Sequence, residues 1–319
     1  MSTEKPTAAR QQLDAAIAAE LALPLPPAIH AVAALLAERG HGSVRAVLFY
    51  GSNLRSGELD GVLDYYVLVD SLRGWYGRRL PAAANRLLPP NILYLEPVID
   101  GRRLRAKVAV LRSDQFRRGM RRGGIDTTMW ARYSQPAALA WCRDDAARAD
   151  VVTSVSEAVV SAAGWAARLG PASGPAGDYW QALYKRTYSA ELRVEKASRT
   201  DSLMAFGGDR YTTLLPIAWD AAGLAYETLA DGSLRPAVRA GQRRSAEAGW
   251  SLRHGLGKPL NFARLVKSAY TFDGGVDYLL WKIERHSGVK MELTPWQRRH
   301  PILASPRVLL ELRRRGAIR

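Results

Sequence analysis

Residues 44–70 read VRAVLFYGSNLRSGELDGVLDYYVLVD. An apolar run ends in Gly51-Ser52, a polar loop follows, and a second apolar run opens near Asp64. The pattern is strand, tight turn, loop, strand. Gly51 frees the backbone to come close to a polyphosphate, and Ser52 adds a hydroxyl able to hold a phosphate oxygen. Asp64, at the start of the second strand, places a carboxylate where Mg²⁺ could sit beside that phosphate. A Gly-Ser pair after a strand is by itself an ordinary turn. The Asp inside the next apolar run makes this one a candidate phosphate site.

The 319 residues exceed one average domain, so two are expected. No apolar run reaches the roughly 18 residues a bilayer span needs. The first twenty residues include Glu4 and Asp14 and have no continuous apolar core, so neither a secretory signal nor a transit peptide is expected. The expected location is therefore cytoplasmic, in a bacterium, peripheral on the inner face of a membrane. Cys142 is the single cysteine, which excludes an intramolecular disulfide and a cysteine zinc site. Lys and Arg number 46 against 30 Asp and Glu, a net +16. Such a surplus points to a polyanionic partner: nucleic acid, an anionic membrane, or nucleotide and phospholipid together. An Arg-rich genome is the alternative source of the charge.

Along the chain, residues 7–23 and 27–39 read as helices, and 77–88 as a helix with Pro81 in its first turn. Residues 92–99 and 103–111 are β-rich runs joined at Asp100-Gly101, a hairpin signal. Residues 113–120 open a helix with Ser-Asp. Helix is then expected over 145–169, a linker over 170–177, and further helices over 178–198, 211–230, 276–287 and 303–315. The fold class is α+β: a palm of mixed sheet with helices over 1–140, then a mostly helical domain over 141–319.

Taken in order, several blocks resemble the mitochondrial-type phosphatidate cytidylyltransferases, or translocator-maintenance proteins, of the nucleotidyltransferase superfamily. They are Tyr50-Gly51-Ser52; Leu63-Asp64-Tyr65-Tyr66 with Val69-Asp70 and Trp75; Gly101 to Val110 around Lys107; and Trp130 to Pro136 with Arg132. Tyr188 to Arg193 follows, then Leu256-Gly257-Lys258, Lys267-Ser268 and Trp281-Lys282. The resemblance implies CTP and phosphatidic acid, or a related lipid phosphate, giving CDP-diacylglycerol and pyrophosphate with Mg²⁺ at a membrane surface. It implies a second domain related to winged helices. It also implies a nucleotide site of Tyr50, Gly51, Ser52, Lys107, Arg132, Tyr188 and Arg193, and lipid contacts at Lys258, Lys267, Trp281 and Lys282. Val108-Ala109, Ala131 and Gln135 depart from the family pattern, which suggests an altered acceptor pocket.

Nucleotidyl transfer needs in-line attack on the α-phosphorus with the leaving charge neutralised. Ser52, Asp64 and Lys107 are the catalytic candidates; a Lys inside an apolar strand calls for such a role, or else faces solvent. Most of the superfamily has two acids two residues apart on one strand face, but position 66 is Tyr. Asp70 has the parity of Asp64 yet lies about 20 Å along an unbroken strand; capping a turn or orienting Arg73 is its expected role. Asp60 and Glu96 are the better candidates to complete the metal set. Trp281, beside Lys282 and Arg285, reads as a membrane anchor or as core. The histidines have no metal spacing, and no RNA motif accompanies the charge, so nucleic acid is not the expected partner. Assembly with further copies of the chain is left open. Two other functions stay open: transfer to a soluble or macromolecular acceptor, and a non-catalytic membrane-associated binding protein of the same fold.

Overall fold

The structure, a computed structural model, describes residues 4–190, 204–271, 274–287, 291–299 and positions 307, 311 and 314. Two helices come first, α1 (Glu4–Leu21) and α2 (Pro27–Arg39). In α2, Pro27 fits the first turn, and Ile29, Val32, Ala33 and Leu36 form one buried stripe. Then come β1 (Val44–Tyr50), α3 (Ser52–Ser56), β2 (Val62–Val69), α4 (Leu72–Tyr76) and α5 (Arg79–Leu87). Next are β3 (Asn91–Leu95), the small hairpin β4 (Val98–Ile99) and β5 (Arg102–Arg103), then β6 (Arg105–Arg112), α6 (Ser113–Gly119), α7 (Thr128–Tyr133) and β7 (Ala137–Cys142).

Five strands form one mixed sheet in the order β3-β6-β2-β1-β7. Only β2 and β6 run parallel, because the chain between them crosses over through α4, α5 and β3. Side chains alternate across the sheet. Phe49, Tyr65, Val67, Val108 and Val110 join the α2 stripe on one face. Leu48, Tyr66, Leu68, Ala109 and Leu111 pack under the helices on the other.

The helical part begins with α8 (Asp145–Leu169), capped by Asp144, whose carboxylate accepts from the Ala147 amide at 2.6 Å. It continues with α9 (Ala176–Ala190), α10 (Asp209–Ala221), the hairpin β8 (Tyr226–Thr228) and β9 (Leu234–Pro236), α11 (Ala240–Thr271), α12 (Gly275–Ser287) and α13 (Pro295–Arg299). One cluster of buried side chains runs through position 140, joining Leu13 and Ile17 of α1 and Tyr66 of the sheet to Trp180, Leu215 and Trp219. Arg210 of α10 reaches back to α1, donating to Glu20 Oε1 at 3.2 Å and to the Ser134 carbonyl at 2.8 Å.

The mixed sheet and the helical region that follows are as the sequence predicts, and α8 has the predicted bounds. Four details differ. Asp64 is the third residue of β2, and part of the expected loop is the short helix α3. The helix expected to reach residue 230 ends at Ala221, because Gly223 takes φ +63° and Asp231-Gly232 turns a hairpin. Residues 240–271 form one long helix despite Pro259 and several glycines; burial of Ala246 and Trp250 outweighs those propensities. The end of the 178–198 helix and most of 303–315 lie outside the described residues. Among the described residues, no helix is long and apolar enough to cross a membrane.

Candidate functional site

Strand register builds the site. Tyr94 of β3, Lys107 of β6, Asp64 of β2 and Tyr50 of β1 are successive cross-strand partners in one row. Partners in a row share a face, so these four side chains project together. Lys107 Nζ lies 3.8 Å from Asp64 Oδ1. The chain leaves β1 through Gly51, whose φ of +99° suits glycine alone. A Cβ there would stand 3.0 Å from Asp64 Oδ2, so the turn lies directly against the carboxylate. Arg55 Nη1 donates to the Gly51 carbonyl at 3.2 Å, and Asn53 Nδ2 to that of Glu58 at 2.8 Å; together they fasten the turn. Ser52 is exposed beside it, its hydroxyl 3.3 Å from Asn53 Oδ1.

On the β1 side the row meets an aromatic group. The Tyr50 and Tyr66 rings are 5.2 Å apart, and Tyr133 stands edge-on to Tyr66 at 5.5 Å. The Arg132 guanidinium lies 5.1 Å from the Tyr50 ring and 5.7 Å from that of Tyr66, and donates to the Tyr66 hydroxyl at 2.6 Å. Burial first, then neighbouring charges, pushes the Tyr133 hydroxyl well above its ordinary pKa. On the β3 side, Tyr278 of α12 packs 5.4 Å from Tyr94. Its pKa is raised by burial and then by the Asp64 charge, so α12 completes the wall of the site.

The three proposed metal ligands do not gather. Asp60 is exposed and bonded to Arg102. Glu96 accepts from the Tyr94 hydroxyl at 2.8 Å and faces Arg103 at 3.4 Å and Arg105 at 3.9 Å. Among the described residues, no three acids, histidines or cysteines form a metal cluster. Arginines have taken the acids assigned to complete the set. Of the three, Asp64 alone lies against the Gly51 turn. Asp70 pairs with Arg143 at 2.8 Å and Arg45 at 3.5 Å rather than with Arg73.

The remaining sites disperse. Tyr188 packs against the helical core one turn after Tyr184. Arg193 and the side chains of Lys258 and Lys282 lie outside the described residues. Lys267 faces inward, not toward lipid: its amine donates to the Leu88 carbonyl and, at 2.6 Å, to that of Pro90. Trp281 stacks on Tyr278 at 6.3 Å and receives Arg105 and Arg285 on its ring at 5.4 and 5.3 Å. Its neighbours are the protein's own arginines.

Sequence reasoning missed Tyr94 and Tyr278. Tyr94 could have been found by counting back from the Asp100-Gly101 turn. The register that sets Val98 opposite Arg103 also sets Tyr94 opposite Lys107. Tyr278 has no such signal, because α12 arrives from far along the chain.

No protein-family model matches the chain, and no curated protein matches it. A solved structure that does match is the nucleotidyltransferase-like protein from Exiguobacterium sibiricum 255-15. It is 10% identical over 80% of each chain, with a TM-score of 0.25. A likeness that slight carries no argument; the site rests on its own geometry.

Proposed function

We propose that this chain is a nucleotidyltransferase whose donor is CTP and whose acceptor is phosphatidic acid or a related lipid phosphate at a membrane surface. The observation that carries the reading is the Gly51 turn lying against Asp64, with Lys107 beside it in register. In the proposed reaction an acceptor phosphate oxygen attacks the α-phosphorus. The bond from that phosphorus to the bridging oxygen breaks, and pyrophosphate leaves. The Gly51-Ser52 turn holds the departing phosphates, and Lys107 balances their charge. Asp64 would hold Mg²⁺, which when bound spreads negative charge across the phosphates. CTP and the lipid acceptor come from the resemblance. Membrane contact is supported by the net charge of +16 and by Leu80 and Leu87 of α5, 81% and 84% exposed among Arg79 and Arg86.

Tyr66, standing where a second acid would be, favours one other reading: a protein that binds nucleotide without transferring it. The test is pyrophosphate release with Mg²⁺, CTP and phosphatidic acid in detergent micelles, with ATP, GTP and UTP as controls and Asp64→Ala alongside. CTP-specific, lipid-dependent release that the substitution abolishes supports transfer to lipid. Release with CTP but without need of lipid would replace the acceptor with a soluble one. CTP binding without release, in folded protein, would overturn transfer in favour of binding.

A further inference from the structure

Two arginines meet at a notch in α8 that the transfer chemistry does not use, and a third lies beside it on Trp165. Gly164 makes the notch: a Cβ there would stand 3.3 Å from Arg122 Nη1 and 3.4 Å from Arg168 Nη1. Arg253 of α11 covers the Trp165 ring at 4.6 Å. It donates to the carbonyls of Gly124 at 3.0 Å, Gly249 at 2.8 Å and Arg122 at 3.4 Å. Arg253 thus fastens to α11 the loop that carries Arg122. Trp250, 5.5 Å from Trp165 and 6.4 Å from Trp130, makes the floor rigid.

Among the described residues the group has no counter-charge. Nearby Arg117, Arg118 and Arg186 pair with Asp150, Asp114 and Glu247. Among the described residues, Arg122, Arg168 and Arg253 face no carboxylate, and the Arg122 side chain makes no hydrogen bond. Burial, then the charge of Arg122, pulls both Arg168 and Arg253 below the ordinary arginine range. Guanidinium groups held together without an anion repel one another, and a bound anion would reverse the sign of that interaction. Their planar forks match phosphate oxygens. Arg168 also lines a concavity with Gly223, Arg239 and Gln242.

We propose that Arg122 and Arg168, with Arg253 holding the loop, form a second anion site that binds a terminal phosphate or pyrophosphate group. It is built from elements other than the Asp64 row, so it can be tested with that row disabled.

The experiment titrates inorganic pyrophosphate into the full chain carrying Lys107→Ala, with EDTA present and ionic strength fixed, and reads Kd by calorimetry. Arg122→Glu and Arg121→Glu, each added to that protein, make the same charge change one residue apart. The expected result is binding that Arg122→Glu weakens by roughly tenfold or more, with Arg121→Glu within about twofold. Arg122→Glu should also hold or raise Tm, since its carboxylate meets Arg168, which excludes unfolding as the cause. No pyrophosphate binding in the Lys107→Ala protein, or equal weakening by both substitutions, would overturn the site. A second arm compares phosphatidylcholine vesicles with and without phosphatidic acid. Vesicle binding lost only in Arg122→Glu makes the ligand a lipid headgroup; pyrophosphate binding without it makes the ligand a free phosphate.

Discussion

Arg132 donates to the Tyr66 hydroxyl at 2.6 Å, and Tyr66 stands two residues beyond Asp64 on the same face of β2. A phenol tied to a guanidinium therefore occupies the next position along that face from the carboxylate. Tyr66 is 1% exposed, so the hydrogen bond is shielded from water. Tyr66→Phe keeps the ring and its packing but strips that bond from a charged donor. It should cost about 2 kcal/mol in urea unfolding, and it should raise KM for nucleotide more than it lowers kcat if Arg132 meets phosphate.

Gly51 is held on two counts, by φ +99° and by the closeness of Asp64. Gly51→Ala should lose about 1–3 kcal/mol of stability. Under the proposed transfer, displacing the turn from the carboxylate should lower pyrophosphate release about a hundredfold. Urea midpoints measured on the same preparation separate the two effects.

The Glu20–Arg210 pair is a stability element, with both side chains 12% exposed. Glu20→Gln leaves the guanidinium buried without its counter-charge and should cost about 3–5 kcal/mol. Glu20→Leu combined with Arg210→Met should recover most of that loss. A double-mutant cycle by urea unfolding checks both outcomes.

Lys267 gives the chain a pH dependence of known sign. Burial first, and then the charge of Arg264, lowers its amine from 10.5 to about 8. Between those values the unfolded chain binds more protons than the folded one, so stability rises with pH across that window. The Tm of the natural chain relative to Lys267→Met should increase from about pH 7 to about pH 10. A flat difference would mean the amine keeps its proton.

The two apolar runs within 44–70 made β1 and β2 legible, and Asp100-Gly101 made the β3–β6 pairing legible, since each carries its own local signal. Asp64 and Lys107 could be named because a charge inside an apolar strand stands out. The acids that would join Asp64 could not be placed from spacing. Asp60 is engaged by Arg102 of β5, and Glu96 by Arg103 of β5 and Arg105 at the start of β6. A partner 42 residues away, as Arg102 is from Asp60, leaves no periodic trace. The same holds for α11, whose glycines and Pro259 speak against helix locally, while the packing that sustains it comes from α8 and α9. Lys267 was misassigned for a related reason: the carbonyls it satisfies lie 177 and 179 residues away.

The tie from Arg210 to Glu20 closes a loop of 190 residues, which sets an order of events during synthesis. At about 5–20 residues per second, α1 emerges some 10–40 s before the helix that locks it. Through that interval Leu13, Ile17 and Leu21, buried in the finished protein, lack their final cover. The earlier helix must wait on the later one, so a nascent chain stalled before residue 210 presents an apolar stripe to any chaperone or lipid surface it meets.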